Sequence, residues 1–157
     1  MNDSVAEHAR RIAELAREQG RSVAAAESLT SGRVAASLGA APDAASWFRG
    51  SLVAYHDEVK HGVLGVAPGP VVSDAAARQM AEGVARLLGA DCAVATTGVG
   101  GPDEQDGRPP GTVFVGVTID GDVTCRELAL EGDPDEVVEA STLAALELLR
   151  RTMESGR

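Results

Sequence analysis

The chain has 157 residues, 44% hydrophobic and 24% charged, which suits one globular domain with a real core and leaves no room for two. Fourteen Lys and Arg stand against 24 Asp and Glu, for a formal charge of −10, and only 3% of residues are aromatic. That balance speaks against nucleic acid as a partner, because a phosphate backbone calls for basic charge and single strands call for aromatic platforms. No apolar run approaches the 18 residues of a membrane span, and the mixed, polar opening of the chain is not a signal peptide. The expectation is therefore a cytoplasmic protein with no membrane partner, in which Cys92 and Cys125 stay reduced.

In chain order, Ser4-Val5-Ala6-Glu7 has the form of a capping box. It opens a helix whose apolar positions Val5, Ile12, Leu15 and Ala16 recur at helical spacing until Gly20. Residues 22–26 read as a short strand, 27–30 as a turn and 31–38 as a helix, with a helical turn starting at Pro42. A second strand spans 50–55 and a short helix 56–64, with Asp57 and Glu58 at its N-terminal end. Residues 71–73 read as extended. Ser73 or Asp74 caps a long helix that Gly89 terminates, and Met80, Val84 and Leu87 share one of its faces. Residues 92–97 are a buried strand, 98–111 a loop rich in Gly, Pro and acid, and 112–119 a strong strand. Asp120-Gly121 is a hairpin signal, 123–130 returns antiparallel, and Asp133 caps a final helix to about residue 152. Strands that alternate with helices predict an α/β fold with a mainly parallel sheet covered on both faces. Ligands of such sheets gather at the carboxyl ends of the strands, where the loops 27–31, 55–60 and 97–101 emerge.

Chemistry-bearing residues fall on those loops. Ser28 follows a strand and precedes a helix, so it is either a nucleophile beside backbone N–H donors or a helix cap. Lys60 is the only lysine among 14 basic residues, and Tyr55, five positions earlier, is the only tyrosine. A desolvated lysine can lose its proton and act as a base, which a guanidinium cannot do; the other reading is a solvated surface lysine. The Gly-rich run from Thr97 to Pro102 either approaches a phosphate or sugar through its backbone or is a simple turn. It lacks the Gly-Lys-Ser/Thr of a P-loop. Arg108 is a candidate anion partner. His56 and His61 are five apart, the wrong spacing for a zinc helix, and the acids Asp103, Glu104 and Asp106 read as a solvated loop; no metal site is expected.

These residues carry a family resemblance. Ala26-Glu27-Ser28-Leu29-Thr30-Ser31-Gly32 resembles the A-E-S-C-T-G-G motif of the CinA C-terminal domain family. Val53-Ala54-Tyr55-His56-Asp57-Glu58-Val59-Lys60, followed by Leu64-Gly65-Val66, is similar to its V-A-Y-S-N-E-x-K…L-G-V. Val72-Ser73 and Met80-Ala81-Glu82-Gly83 resemble V-S…M-A-x-G. Thr97-Gly98-Val99-Gly100-Gly101-Pro102 and Pro110-Gly111-Thr112-Val113 resemble T-G-I-A-G-P…P-V-G-T-V. The likeness runs from about residue 5 to 150 as one domain.

The resemblance implies a three-layer α/β/α sandwich with a mixed, mainly parallel five-stranded sheet. It also implies an amidohydrolase that converts nicotinamide mononucleotide to nicotinate mononucleotide and ammonia, a homo-oligomer, and neither metal nor cofactor. In that reading Ser28 is the nucleophile and Lys60 the base, with Tyr55 beside them. N–H groups near Thr30 and Ser31 hold the oxyanion. The substrate is bound by Glu27, Thr30, Ser31, Gly32, Thr97, Gly98, Gly100 and Gly101. Leu29, Ser31, His56, Asp57 and Pro134 depart from the family pattern. A nucleotide-binding module that has lost turnover is the alternative those departures raise.

Overall fold

The computed structural model describes residues 3–156. Its five strands are β1 (Val23–Glu27), β2 (Phe48–Val53), β3 (Cys92–Gly98), β4 (Thr112–Ile119) and β5 (Asp122–Ala129). Its helices are α1 (Asp3–Gln19), α2 (Arg33–Gly39), α3 (Ala44–Trp47), α4 (Asp57–Gly62), α5 (Asp74–Leu88) and α6 (Pro134–Glu154). The sheet order is β2-β1-β3-β4-β5. β1 pairs in parallel with β2 and β3, whereas β3–β4 and β4–β5 are antiparallel. Four strands thus share one direction and β4 opposes them. The strand running against the rest is the one before the Asp120-Gly121 hairpin, instead of the one after it. The 99–111 connection after β3 carries no helix with which to make the usual parallel crossover.

Two faces of the sheet are built from different residues. Val23 and Ala25 of β1, Cys92 and Val94 of β3, and the Val113–Ile119 alternation of β4 face a large aliphatic core shared with α1, α2 and α6. On the opposite face Ala24, Ala26, Ala93 and Ala95 meet Ala76, Met80, Ala81 and Val84 of α5. Small side chains let α5 lie close to the sheet. Gly116, central in β4, has no room for a side chain, because a Cβ there would sit 2.5 Å from the Ala77 carbonyl oxygen.

Element ends follow their chemistry. Gly20 ends α1 with φ +64° and Gly89 ends α5 with φ +65°, backbone conformations that favour glycine. Asp120 and Gly121 both have positive φ, as a two-residue hairpin turn between right-twisted strands requires. Asp133 and Glu136 form a reciprocal capping box ahead of Pro134. Two expectations shift. Ser4 lies inside α1, which already includes Asp3, so it does not cap the helix. Residues 71–73 form no strand; Val71 and Val72 donate their N–H groups to the Asp106 carboxylate at 3.0 and 3.1 Å. Both cysteines are free thiols. No helix among the described residues is long and apolar enough to cross a membrane.

The tight α5 face yields a stability prediction. Gly116→Ala should destabilise the protein by about 1–3 kcal/mol, because Ala77 main-chain atoms must retreat to admit the methyl group. Urea unfolding should show a lower midpoint with an unchanged slope.

Candidate active site

Parallel strands β2, β1 and β3 end at one edge of the sheet, and their following loops converge there. A cleft of about 410 Å³ opens at that edge, lined by Ser28, Leu29, Tyr55, the 98–105 segment, Pro134 and Val138. A hollow of about 470 Å³ between α1, α2 and α6 holds none of the predicted catalytic residues.

The turn that carries Ser28 is organised by the residue before it. Glu27 ends β1 and is 0% exposed. Its Oε1 accepts from the Thr30 hydroxyl at 2.8 Å and from the N–H groups of Gly32 and Val34 at 3.2 and 2.9 Å. Its Oε2 accepts from Ala35 N–H at 3.0 Å and from the Ser51 hydroxyl at 3.1 Å. A buried carboxylate needs such donors, and the start of α2 needs an acceptor; Gly32, the residue at its N-cap, has no side chain to supply one. Glu27 therefore caps α2 from a distance of five residues.

Ser28 is 8% exposed at the cleft wall, and its hydroxyl has no hydrogen-bond partner among the described residues. Its backbone N–H reaches Thr96 Oγ1 at 3.4 Å, and its carbonyl accepts from Ser31 N–H at 3.1 Å. Among the described residues the N–H groups of Leu29 and Thr30 have no acceptor. Leu29 lines the cleft, whereas Thr30 is 0% exposed and does not. The Ser31 N–H, expected to serve an oxyanion, is engaged within the turn.

Lys60 is 2% exposed on the first turns of α4, which His56 caps by accepting the Glu58 N–H on Nδ1. It is a core lysine, which removes the reading as a solvated surface residue. Its Nζ donates to the Tyr55 carbonyl at 3.1 Å and pairs with Asp57 Oδ1 at 3.5 Å. Burial pushes the Lys60 pKa below the ordinary 10.5, while the charge of Asp57 and, further off, that of Asp106 act in the other direction. No hydrogen bond joins Lys60 directly to Ser28. Tyr55 contributes twice: its carbonyl accepts from Lys60, and the residue, 69% exposed, forms part of the cleft wall.

The predicted binding residues separate into two groups. Gly98, Gly100 and Gly101 line the cleft. Gly98 must be glycine, because a Cβ would stand 2.7 Å from the Thr112 carbonyl oxygen. Glu27, Thr30, Ser31, Gly32 and Thr97 do not line it. Glu27 and Thr30 are consumed by the capping network, and the Thr97 hydroxyl donates to the Val71 carbonyl at 2.6 Å. Ser31 Oγ bends back toward the Ser28 and Leu29 carbonyls at 3.4 and 3.5 Å. Arg108 stacks over Phe114 at 5.2 Å and pairs with Glu127, so it is not a cleft cation. Asp103 and Glu104 do line the cleft, whereas Asp106, exposed like them, also accepts from the Val71 and Val72 N–H groups. Among the described residues no group of three or more His, Cys, Asp and Glu is placed to hold a metal ion.

Sequence reasoning missed Thr96, Leu29 and Asp57. The signal for Thr96 was a pair of threonines closing an otherwise apolar strand, Cys92-Ala93-Val94-Ala95-Thr96-Thr97. Leu29 brings to the cleft a backbone N–H that is unengaged among the described residues, which side-chain chemistry cannot reveal.

Comparison with known proteins places these features in a wider set. The model of the CinA C-terminal domain matches residues 5–153. A CinA-like protein of Frankia casuarinae is 39% identical over 142 residues, covering 87% of this chain and 33% of that one. A CinA-like protein of Mycobacterium tuberculosis is 40% identical over 141 residues, covering 85% of this chain and 33% of that one. The chain spans about a third of the length of the curated relatives it matches. Among solved structures, a CinA superfamily protein from Klebsiella pneumoniae 700603 superposes with a TM-score of 0.92 at 31% identity, covering 99% of each chain. The competence/damage inducible protein CihA from Agrobacterium tumefaciens superposes with a TM-score of 0.91 at 29% identity, covering 98% of each chain.

Two predictions test how the turn is held. Glu27→Gln offers a single acceptor oxygen to five donors and should lose about 2–4 kcal/mol of unfolding free energy in urea titrations. Ser31 has φ +46°, and its side chain makes only long hydrogen bonds in return. Ser31→Gly should leave stability unchanged or raise it by up to about 1 kcal/mol, read as a small upward shift in thermal midpoint.

Proposed function

The chain belongs to the CinA C-terminal domain family, and on that premise we propose that it is an amidohydrolase that deamidates nicotinamide mononucleotide to nicotinate mononucleotide and ammonia. The observation that supports the reading is a set of three features on the loops that follow β1 and β2. They are a serine whose hydroxyl has no hydrogen-bond partner among the described residues, two likewise unengaged N–H groups immediately after it, and a buried lysine, outside the cleft lining, whose ammonium is disfavoured by desolvation.

In this mechanism Ser28 Oγ attacks the carboxamide carbon and its proton passes to neutral Lys60, with the Tyr55 hydroxyl bridging the gap that separates the two side chains. The oxyanion is received by the N–H groups of Leu29 and Thr30. Collapse breaks the C–N bond, and ammonia leaves with the proton that Lys60 returns. Water then attacks the acyl-serine ester, Lys60 again taking and returning a proton, and nicotinate mononucleotide and free Ser28 result. The Tyr55 carbonyl and Asp57 keep the amine in place but also favour its charged form, so burial has to prevail for the base to be available. The glycines of the 98–101 segment bring backbone close to the bound ribose.

A second reading, a nucleotide-binding module without turnover, is favoured by the lack of a direct Ser28–Lys60 hydrogen bond and by Asp103 and Glu104 on the cleft wall. Isothermal calorimetry with ammonia detection separates the two: binding without ammonia release over hours selects the module.

Under the enzymatic reading, Ser28→Ala and Lys60→Arg should each lower ammonia release from nicotinamide mononucleotide by about 10³-fold or more. Lys60→Arg at full activity would remove lysine as the base. Because the folded protein lowers the Lys60 pKa, the neutral amine accumulates as pH rises. The rate of the native enzyme should therefore climb with pH along a limb whose midpoint lies below 10.5.

A further inference from the structure

We propose that Thr96 is a positioning residue that holds the Ser28 turn through a one-way chain of hydroxyls anchored on Glu27. The inference rests on the amidohydrolase reading for its rate effect and on geometry alone for its structural effect. The parallel ladder between β1 and β3 has its last register pair at Ala26 and Ala95. Beyond that pair no main-chain bond ties Ser28 to β3. Thr96 supplies the missing tie with a side chain: its Oγ1 accepts the Ser28 N–H at 3.4 Å across 68 residues of sequence. The same oxygen lies 2.9 Å from Thr30 Oγ1. Thr96 itself is 1% exposed and Thr30 is 0% exposed.

The direction of the chain follows from counting protons. Glu27 is surrounded by five donors and can only accept. The single proton of the Thr30 hydroxyl is therefore committed to Glu27 Oε1, and Thr30 Oγ1 meets Thr96 as an acceptor. Thr96 must donate to Thr30, which leaves its oxygen lone pairs for the Ser28 N–H. Each hydroxyl has one orientation, so the turn has one conformation. The consequence for chemistry is a division of labour among successive N–H groups. The Ser28 N–H is withdrawn into the scaffold, and those of Leu29 and Thr30 have no acceptor among the described residues.

Thr96→Val keeps the shape of the side chain and removes the hydroxyl; Thr96→Ser keeps the hydroxyl. In Thr96→Val, hydrogen exchange at the Ser28 amide should accelerate on the order of 10-fold, the equivalent of one lost hydrogen bond, with Val94 exchange unchanged. With nicotinamide mononucleotide, kcat should fall on the order of 10²-fold while KM stays within about twofold, because the change misplaces the nucleophile without touching bound substrate. Thr96→Ser should restore both readouts. Unchanged Ser28 exchange in Thr96→Val overturns the proposal, as does a Thr96→Ser protein as impaired as Thr96→Val, which would assign the effect to packing. If the native protein releases no ammonia, the amidohydrolase reading fails, and the exchange measurement still decides the role of Thr96.

Discussion

A carboxylate withdrawn from water must be enclosed by donors, and in this protein the enclosure of Glu27 shapes everything around it. Its two oxygens gather three N–H groups from the start of α2, the Thr30 hydroxyl after β1 and the Ser51 hydroxyl of β2. One side chain thereby joins a helix terminus, two strands and a turn. The seven-residue α2 is too short to be stable by itself, and the anion at its N-terminal end complements both its open N–H groups and its dipole. The turn from Ser28 to Gly32 has little freedom left, because its conformation is dictated at both ends. Ser28 stands at the cleft wall as a result of that constraint, and its own side chain contributes nothing to it.

The lysine is held by a different balance. An ammonium group 2% exposed is stabilised by the Tyr55 carbonyl and by Asp57, and destabilised by loss of water. Neither influence removes the other. Desolvation is the larger, so the group lies below its ordinary pKa while keeping an anion within reach. Arginine at this position could not share that behaviour, since its charge persists at any working pH. Asp106, bound by the Val71 and Val72 N–H groups, places a charge of the 99–111 loop where it acts on Lys60.

Both arrangements depend on the sheet. Glycine and alanine on the α5 face bring helix and strands together, while the opposite face carries the larger aliphatic core. β1, at the centre of the parallel part, is buried along its whole length. Its carboxyl end consequently opens into the space between the loops after β2 and β3, which is where the cleft forms. The base of the glycine-rich loop is closed by Val99 and Gly111, whose N–H groups bond to Thr112 and Val99 carbonyls at 2.9 and 2.8 Å, so the loop is presented as a fixed wall.

Local signals were legible in the sequence because they act over a few residues. The periodicity of α1, the Gly20 and Gly89 stops, the Asp120-Gly121 hairpin and the Asp133 cap all reappear where short-range chemistry puts them, and the motif around Ser28 identified the edge that carries the cleft. On α5 Met80 and Val84 face the core as expected, but Leu87 is 50% exposed and Leu88 packs there instead. Of the singular pair, Tyr55 lines the cleft, and Lys60 is buried against the Tyr55 carbonyl. Tertiary structure alone decided which polar groups are free. Glu27, Thr30 and Thr97 look like binding residues in a linear motif, but their partners come from α2, β2, β3 and the segment before α5, and those contacts consume them. Thr96 acquires its role only because β3 lies beside the turn after β1. Whether a hydroxyl or N–H is available to a ligand depends on long-range neighbours, and the burial that sets the state of Lys60 arises only once the core has closed around it.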